Sequence, residues 1–169
     1  MKNLIYILGI TTLFFSCENQ ERSVGFTNWS DDGTQYKFHL GTEASVDIVK
    51  SFDKMIVGKN YDELRSIFSD TAVLTFQNGY DSSLQDFINM NLGRDSTLLA
   101  TNATLKWDLQ RAFSVDLDPK SGGEHVCASY LAKYQDKEQI NSFNADLWFY
   151  IIDGKIITVN QYNQDIIDE

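Results

Sequence analysis

Cysteine and histidine are scarce in this 169-residue chain, with two of each. His39 and His125 are far apart in sequence, and with a single cysteine to spare they give no metal-ligand spacing. Basic residues are also short: 14 Lys and Arg face 24 Asp and Glu, a formal net charge of −10. A chain this acidic repels phosphate backbones, which argues against nucleic acid as a partner; the charge serves solubility. There is only one long apolar run, the twelve residues Leu4 to Phe15. At about 1.5 Å per residue it falls far short of the roughly 30 Å hydrocarbon core, so it does not read as a span. There is no Gly-rich phosphate loop and no nucleophile elbow. Nothing in the sequence calls for a metal or a cofactor.

What is present is enough apolar matter for one packed domain: 43% hydrophobic and 13% aromatic residues. The short apolar run follows Lys2 and ends at "LFFSCEN", where Cys17 gives way abruptly to the polar "ENQER". A positive start, a short apolar stretch and a small residue before a cysteine read as a processing signal. With Ser16 ahead of Cys17, the stretch resembles a bacterial lipoprotein signal peptide, although Phe14 departs from the aliphatic residue usual there. That resemblance implies cleavage of residues 1–16 and acyl chains on Cys17. Two or three such chains give stable anchoring in a membrane of the cell envelope, more in keeping with the outer than the inner one. The alternative is ordinary secretion with cleavage elsewhere. Loss of residues 1–16 removes Lys2 and no acid, leaving 13 basic against 24 acidic side chains, a net of −11. With Cys17 acylated, Cys127 has no disulfide partner and reads as a small buried apolar residue.

Residues 17–40 read as a polar tether ending in an extended piece, Tyr36–Leu40. Asp31 and Asp32 beside Gly33 lack the alternating ligands of a calcium loop and read as a turn. The domain then occupies 41–169. The spacing predicts a helix from Thr42 to about Gly58, with Val46, Val49, Phe52, Met55 and Ile56 on one stripe. A second short helix starts at Asn60 as cap, and a strand covers 71–77. A third helix begins at a Ser82/Gln85 capping box and stops at Gly93. From about Ala103 the period changes to two: strands are expected at 105–117, 124–135, 139–152 and 155–163, with a two-residue turn at Asp153-Gly154. Helices first and long meandering strands after suggest an α+β domain.

"SVDIVKSFDKMIVGKNYDELRSIFSDTAVLTF", "SLQDFI" and the closing "DGKIITVNQY" together resemble the SnoaL-like branch of the nuclear transport factor 2-like superfamily, over about residues 44–163. The resemblance implies a cone-shaped, strongly curved, mostly antiparallel β-sheet with three helices from the N-terminal half packed on its concave side. It also implies a pocket between sheet and helices, and dimers in many members. It is weak on function, because the superfamily hosts isomerases, cyclases, dehydratases, binding modules and assembly domains.

A regular hairpin at Asp153-Gly154 pairs Phe149 with Thr158, Leu147 with Asn160 and Ala145 with Tyr162. Thr158, Asn160 and Tyr162 are then polar groups among apolar neighbours. They fit a ligand pocket lined also by Trp107, Tyr130 and Phe149, or else they bond to one another, to water or to the N-terminal segment. The other face carries Trp148, Tyr150, Ile157 and Val159, apolar enough to meet a second copy of the chain. Arg111 breaks the alternation of its strand. It binds an anionic group, pairs with a buried acid such as Asp86, or lies at a frayed edge. Asp108 and Asp146 fall opposite the more apolar faces, His125 reads as a solvated turn residue, and no catalytic residue is assigned. The expected function is therefore non-catalytic binding of a small, mostly apolar ligand or a protein partner at the envelope. The alternatives are an isomerase or hydrolyase using an Asp or His in the cone, and a dimeric assembly module.

Overall fold

The computed structural model describes residues 23–27, 33–117 and 122–166. Cys17, the 1–16 segment, Asp31, Asp32 and Pro119 lie outside the described residues. The chain runs β1 (Gly25–Thr27), β2 (Tyr36–Leu40), α1 (Glu43–Val57), a 3-10 helix (Tyr61–Ser66), β3 (Phe68–Thr75) and β4 (Asp81–Ser83). It continues through α2 (Leu84–Thr101), β5 (Thr104–Asp116), β6 (Glu124–Gln135), β7 (Ile140–Ile152) and β8 (Lys155–Asp165). Eight strands form one curved sheet in the order β1-β2-β5-β6-β7-β8-β3-β4. All neighbours are antiparallel except β3 with β8. The helices cover the concave side, as a cone fold requires.

The core lies where the helices' apolar stripes meet the inner face of the sheet. Phe52 of α1 stands at its centre, edge-on to Phe149 at 5.2 Å and close to Phe68 and Phe87. Val49, Leu64, Val126, Phe149 and Ile156 are completely buried around it. Aromatic pairs in this geometry add to the area they bury.

Both long helices are capped by side chains. The hydroxyl of Thr42 accepts from the Ser45 amide at the start of α1. α2 is capped one residue later than expected: Ser83, rather than Ser82, accepts from the Asp86 amide and donates to its carboxylate. α2 also runs through Gly93, the expected stop. A glycine weakens a helix interior by about 0.5–1 kcal/mol but does not interrupt its hydrogen-bond ladder. The helix ends instead at Asn102, which takes the left-handed conformation that closes a helix (φ 54°). The side chain of the expected cap, Asn60, makes no capping hydrogen bond, and the helix that follows is a 3-10 turn.

A carboxylate ties α1 to the sheet. One oxygen of Glu124 accepts from the Ser114 hydroxyl at 2.6 Å, the Thr42 amide at 2.7 Å and the Thr42 hydroxyl at 3.1 Å. Gly41 passes so close that a Cβ there would lie 2.1 Å from the Ser114 hydroxyl. Burial alone would raise the Glu124 carboxyl's pKa, but hydrogen bonds from Ser114, Thr42 and Ser45 outweigh it and hold it below the usual range.

Two inserted residues overturn the expected strand faces. The β7–β8 hairpin starts as predicted, with Ile152 opposite Lys155 and Ile151 opposite Ile156. Ile157 is then an extra residue: Tyr150 pairs with Thr158, Phe149 with Val159, Trp148 with Asn160, Leu147 with Gln161 and Asp146 with Tyr162. One inserted residue exchanges every later side chain between faces. Thr158, Asn160 and Tyr162 therefore share the outer face with Tyr150, Trp148 and Asp146, while Val159 is buried in the core and Gln161 faces the helices. In β5 the extra residue is Gln110, since Leu109 pairs with Tyr130 and Arg111 with the adjacent Ser129. This explains Arg111. It does not break an apolar face but lies, exposed, on the outer face, away from Asp86.

Candidate functional site

A cavity of about 560 Å³ opens between α1, α2, the β3–β4 turn and the inner face of β5–β8. That volume is in the usual range for small-molecule sites. Its walls are mostly apolar, with Phe52, Ile56, Phe76, Phe87, Met90, Leu105 and Leu147 among them. Met90 and the exposed Tyr80 mark its rim.

Trp107 and Tyr130 bring an indole N–H and a phenol to the cavity's sheet wall. They meet edge to face at 5.7 Å, and Phe143 packs on the other edge of the indole at the same distance. Tyr130 is 3% exposed. Neither the Trp107 indole nitrogen nor the Tyr130 hydroxyl has a hydrogen-bond partner, although both atoms are buried. An indole N–H can only donate, so it requires an acceptor. Burial raises the pKa of the Tyr130 phenol well above its ordinary range, and the charge of Asp53 raises it further. The phenol is a proton donor at any physiological pH.

Asp53 reaches the same cavity from α1. Burial, followed by the charge of Asp108, pushes its carboxyl above the ordinary carboxylate range. Arg94, Asn91 and Asp86 come from α2. Asn91 is 1% exposed and its amide donates to the Phe87 carbonyl. Gln161 lines the wall from β8 and donates to Asn163.

Of the expected ligand residues, Trp107 and Tyr130 line this cavity. Phe149 is buried against Phe52 in the core and does not line it. Thr158, Asn160, Tyr162 and Arg111 lie on the outer face, for the reasons of register given above. The face expected to meet a second copy changes likewise. Trp148 and Tyr150 stay on it, Val159 leaves it, and the half-exposed Phe113 joins Trp148 edge-on at 6.5 Å. His125 is no solvated turn residue: it lies on β6, half-buried and stacked on Tyr150 at 4.6 Å, and burial lowers its pKa.

Sequence reading missed Asp53, Asn91, Arg94 and Gln161. The signal for Asp53 is its place beside the stripe of Val49, Phe52 and Ile56, where a carboxylate is costly unless used. Asn91 and Arg94 continue the stripe of Phe87 and Ile88, but a helix ended at Gly93 hides Arg94. Among the described residues no group of three or more His, Cys, Asp or Glu is placed to hold a metal ion, and no helix is long and apolar enough to cross a membrane.

No protein-family model matches the chain, and no curated protein does. Solved structures share its fold. An LEH-like epoxide hydrolase from M. tuberculosis is 12% identical, over 73% of this chain and 84% of that one, with a TM-score of 0.54. A protein described as a SnoaL-like polyketide cyclase from Jannaschia sp. CCS1 is 12% identical, over 72% and 86%, with a TM-score of 0.54. A protein described as a ketosteroid isomerase from Kribbella flavida is 10% identical, over 76% and 83%, with a TM-score of 0.53. Likeness at this identity shows the fold alone: the chain has the cone fold of SnoaL-like and nuclear transport factor 2-like proteins.

Proposed function

We propose that the cone cavity binds a small, mostly apolar molecule bearing an oxygen acceptor, and that acyl chains on Cys17 moor the protein to the cell envelope. The observation that carries the binding reading is the pair of unpartnered buried groups, the Trp107 indole nitrogen and the Tyr130 hydroxyl. Each costs about 1–3 kcal/mol if left unsatisfied in an apolar wall. A carbonyl, ether or hydroxyl oxygen between them recovers that cost, and the surrounding apolar surface supplies the rest of the affinity.

A second reading has its own support. Asp53, with its raised pKa, lines the same cavity as the Tyr130 phenol, a pairing suited to moving a proton on a bound molecule. The epoxide hydrolase, polyketide cyclase and ketosteroid isomerase of the same fold are the precedents for such chemistry, at the level of fold only.

The test is thermal stabilisation of the protein across a library of apolar metabolites, repeated with Trp107→Phe and Tyr130→Phe. Binding predicts hits in the parent that both variants weaken. Hits that neither variant weakens, or none at all, overturn it. Consumption of a hit that stops in Asp53→Asn moves the conclusion to the enzyme. For the anchor, mass spectrometry of the cellular protein should show an acylated Cys17 at the N-terminus; an intact Met1 terminus rejects it.

A further inference from the structure

The cavity and the groove beside it share a wall of Ile56, Leu105, Trp107 and Arg94, of which Arg94 is the charged residue. Arg94 is the only cationic side chain among the described residues that line the cavity; Asp53 and Asp86 are its acids. Asp86, Met90 and Arg94 fall at successive four-residue steps of α2, so they form one stripe with the acid and the base about 12 Å apart. The cavity is therefore polarised along the helix.

The guanidinium is held without being fully used. Its Nε is buried and has no hydrogen-bond partner. Its Nη2 makes an ion pair with Asp95 at 3.7 Å, too long for a hydrogen bond, and the guanidinium also acts on the Tyr61 hydroxyl. Asp95 is satisfied elsewhere: its other oxygen accepts from the Tyr61 hydroxyl at 2.8 Å and pairs with Lys59 at 3.2 Å. The net charge of the chain is −10, and Arg94 is the lining cation that favours an anion at this apolar cavity. Nε and the neighbouring Nη form a side-on pair of donors whose spacing matches the two oxygens of a carboxylate.

We propose that the molecule bound in the cone is an apolar carboxylic acid, its carboxylate read side-on by Arg94 and a second oxygen taken by Trp107 and Tyr130. The inference rests on the binding function proposed above and adds the chemical class.

The experiment compares sodium 3-benzoylpropionate with 3-benzoylpropionamide, which share a skeleton, a ketone oxygen and nearly the same shape but differ in charge. Each is titrated into the nitrogen-15-labelled full chain at low salt, reading the Trp107 indole N–H resonance, assigned through Trp107→Phe. The parent should bind the acid about tenfold or more tightly than the amide, the scale of one charge-assisted pair. Arg94→Gln should bring the two within about twofold, the acid losing far more affinity than the amide; Arg94→Lys, which keeps the charge and loses the fork, should fall between. The melting temperature of each variant checks that it is folded. Equal binding of acid and amide by the parent, or a preference that survives Arg94→Gln, overturns the carboxylate assignment and leaves the cavity's binding function standing. No response to either compound at millimolar concentration counts against both.

Discussion

Replacing Glu124 tests whether one carboxylate holds α1 on the sheet. Its oxygen takes three hydrogen bonds, from the Ser114 hydroxyl and from the amide and hydroxyl of Thr42, the residue that caps α1. Hydrogen bonds to a charged group contribute about 1.5–3 kcal/mol each, but three on one atom are not additive. Glu124→Gln keeps the shape and one acceptor, so the expected loss is about 1–2 kcal/mol. In a domain of this size that is roughly 2–8 °C in melting temperature. The pH dependence is the sharper readout. The folded pKa lies below the ordinary value, so the ionised form contributes stability above the unfolded pKa and loses it as pH falls through the folded one. The stability gap between parent and variant should be full near neutrality and close in acid, below the ordinary carboxylate range. Urea unfolding at a series of pH values, followed by tryptophan fluorescence, measures it. A variant as stable as the parent at neutral pH, or a gap that stays constant into acid, refutes the argument.

Other perturbations follow from the same structure. Gly93→Ala should stabilise by about 0.5–1 kcal/mol, read as a raised urea midpoint, because nothing lies within 4 Å of the added methyl group and the site is inside a helix. Phe52→Ala should cost about 3–5 kcal/mol in the same assay, since the ring is in contact range of Phe68, Phe87 and Phe149. The Cys127 thiol, buried and pushed up to about 11, should resist iodoacetamide at mildly alkaline pH until denaturant is added. Trp148→Glu should turn any dimer seen by light scattering into a monomer, because Trp148 stands beside the half-exposed Phe113 on the outer face. A dimer that survives would place the partner surface elsewhere.

The elements were legible because their signals are local. The change of period near Ala103 marked the strands, and the positive φ angles of Asp153 and Gly154 match the two-residue turn their residue types announce. The faces were not legible. The inserted Ile157 has no residue-type signature in a hairpin apolar on both faces, and the inserted Gln110 shows only as Arg111 falling out of step; pairing with β6 and β7 locates both. One slip in each strand moved Arg111, Thr158, Asn160 and Tyr162 away from the cavity and brought Gln161 in. Ser82 and Ser83 are adjacent candidates for the same cap, and composition does not choose between them. Trp107 and Tyr130 were recoverable because both precede any slip in the β5–β6 ladder, counted from the Thr104–Gln135 end.

The place of β8 in the sheet has a further consequence for assembly of the fold. It lies between β7 and β3, so the last strand of the described chain is the only bridge between the meander and the strands at the far edge. Until Lys155–Asp165 is available, β3 and β4 have no sheet to join, and the facing edge of β7 stays open. Closure joins segments 85 to 88 residues apart, a slow kind of contact to form and one that leaves an exposed strand edge while it is pending. Because β8 covers β7 through a two-residue turn, the edge left open while that contact is pending is that of β8, and a partly folded chain is most vulnerable there.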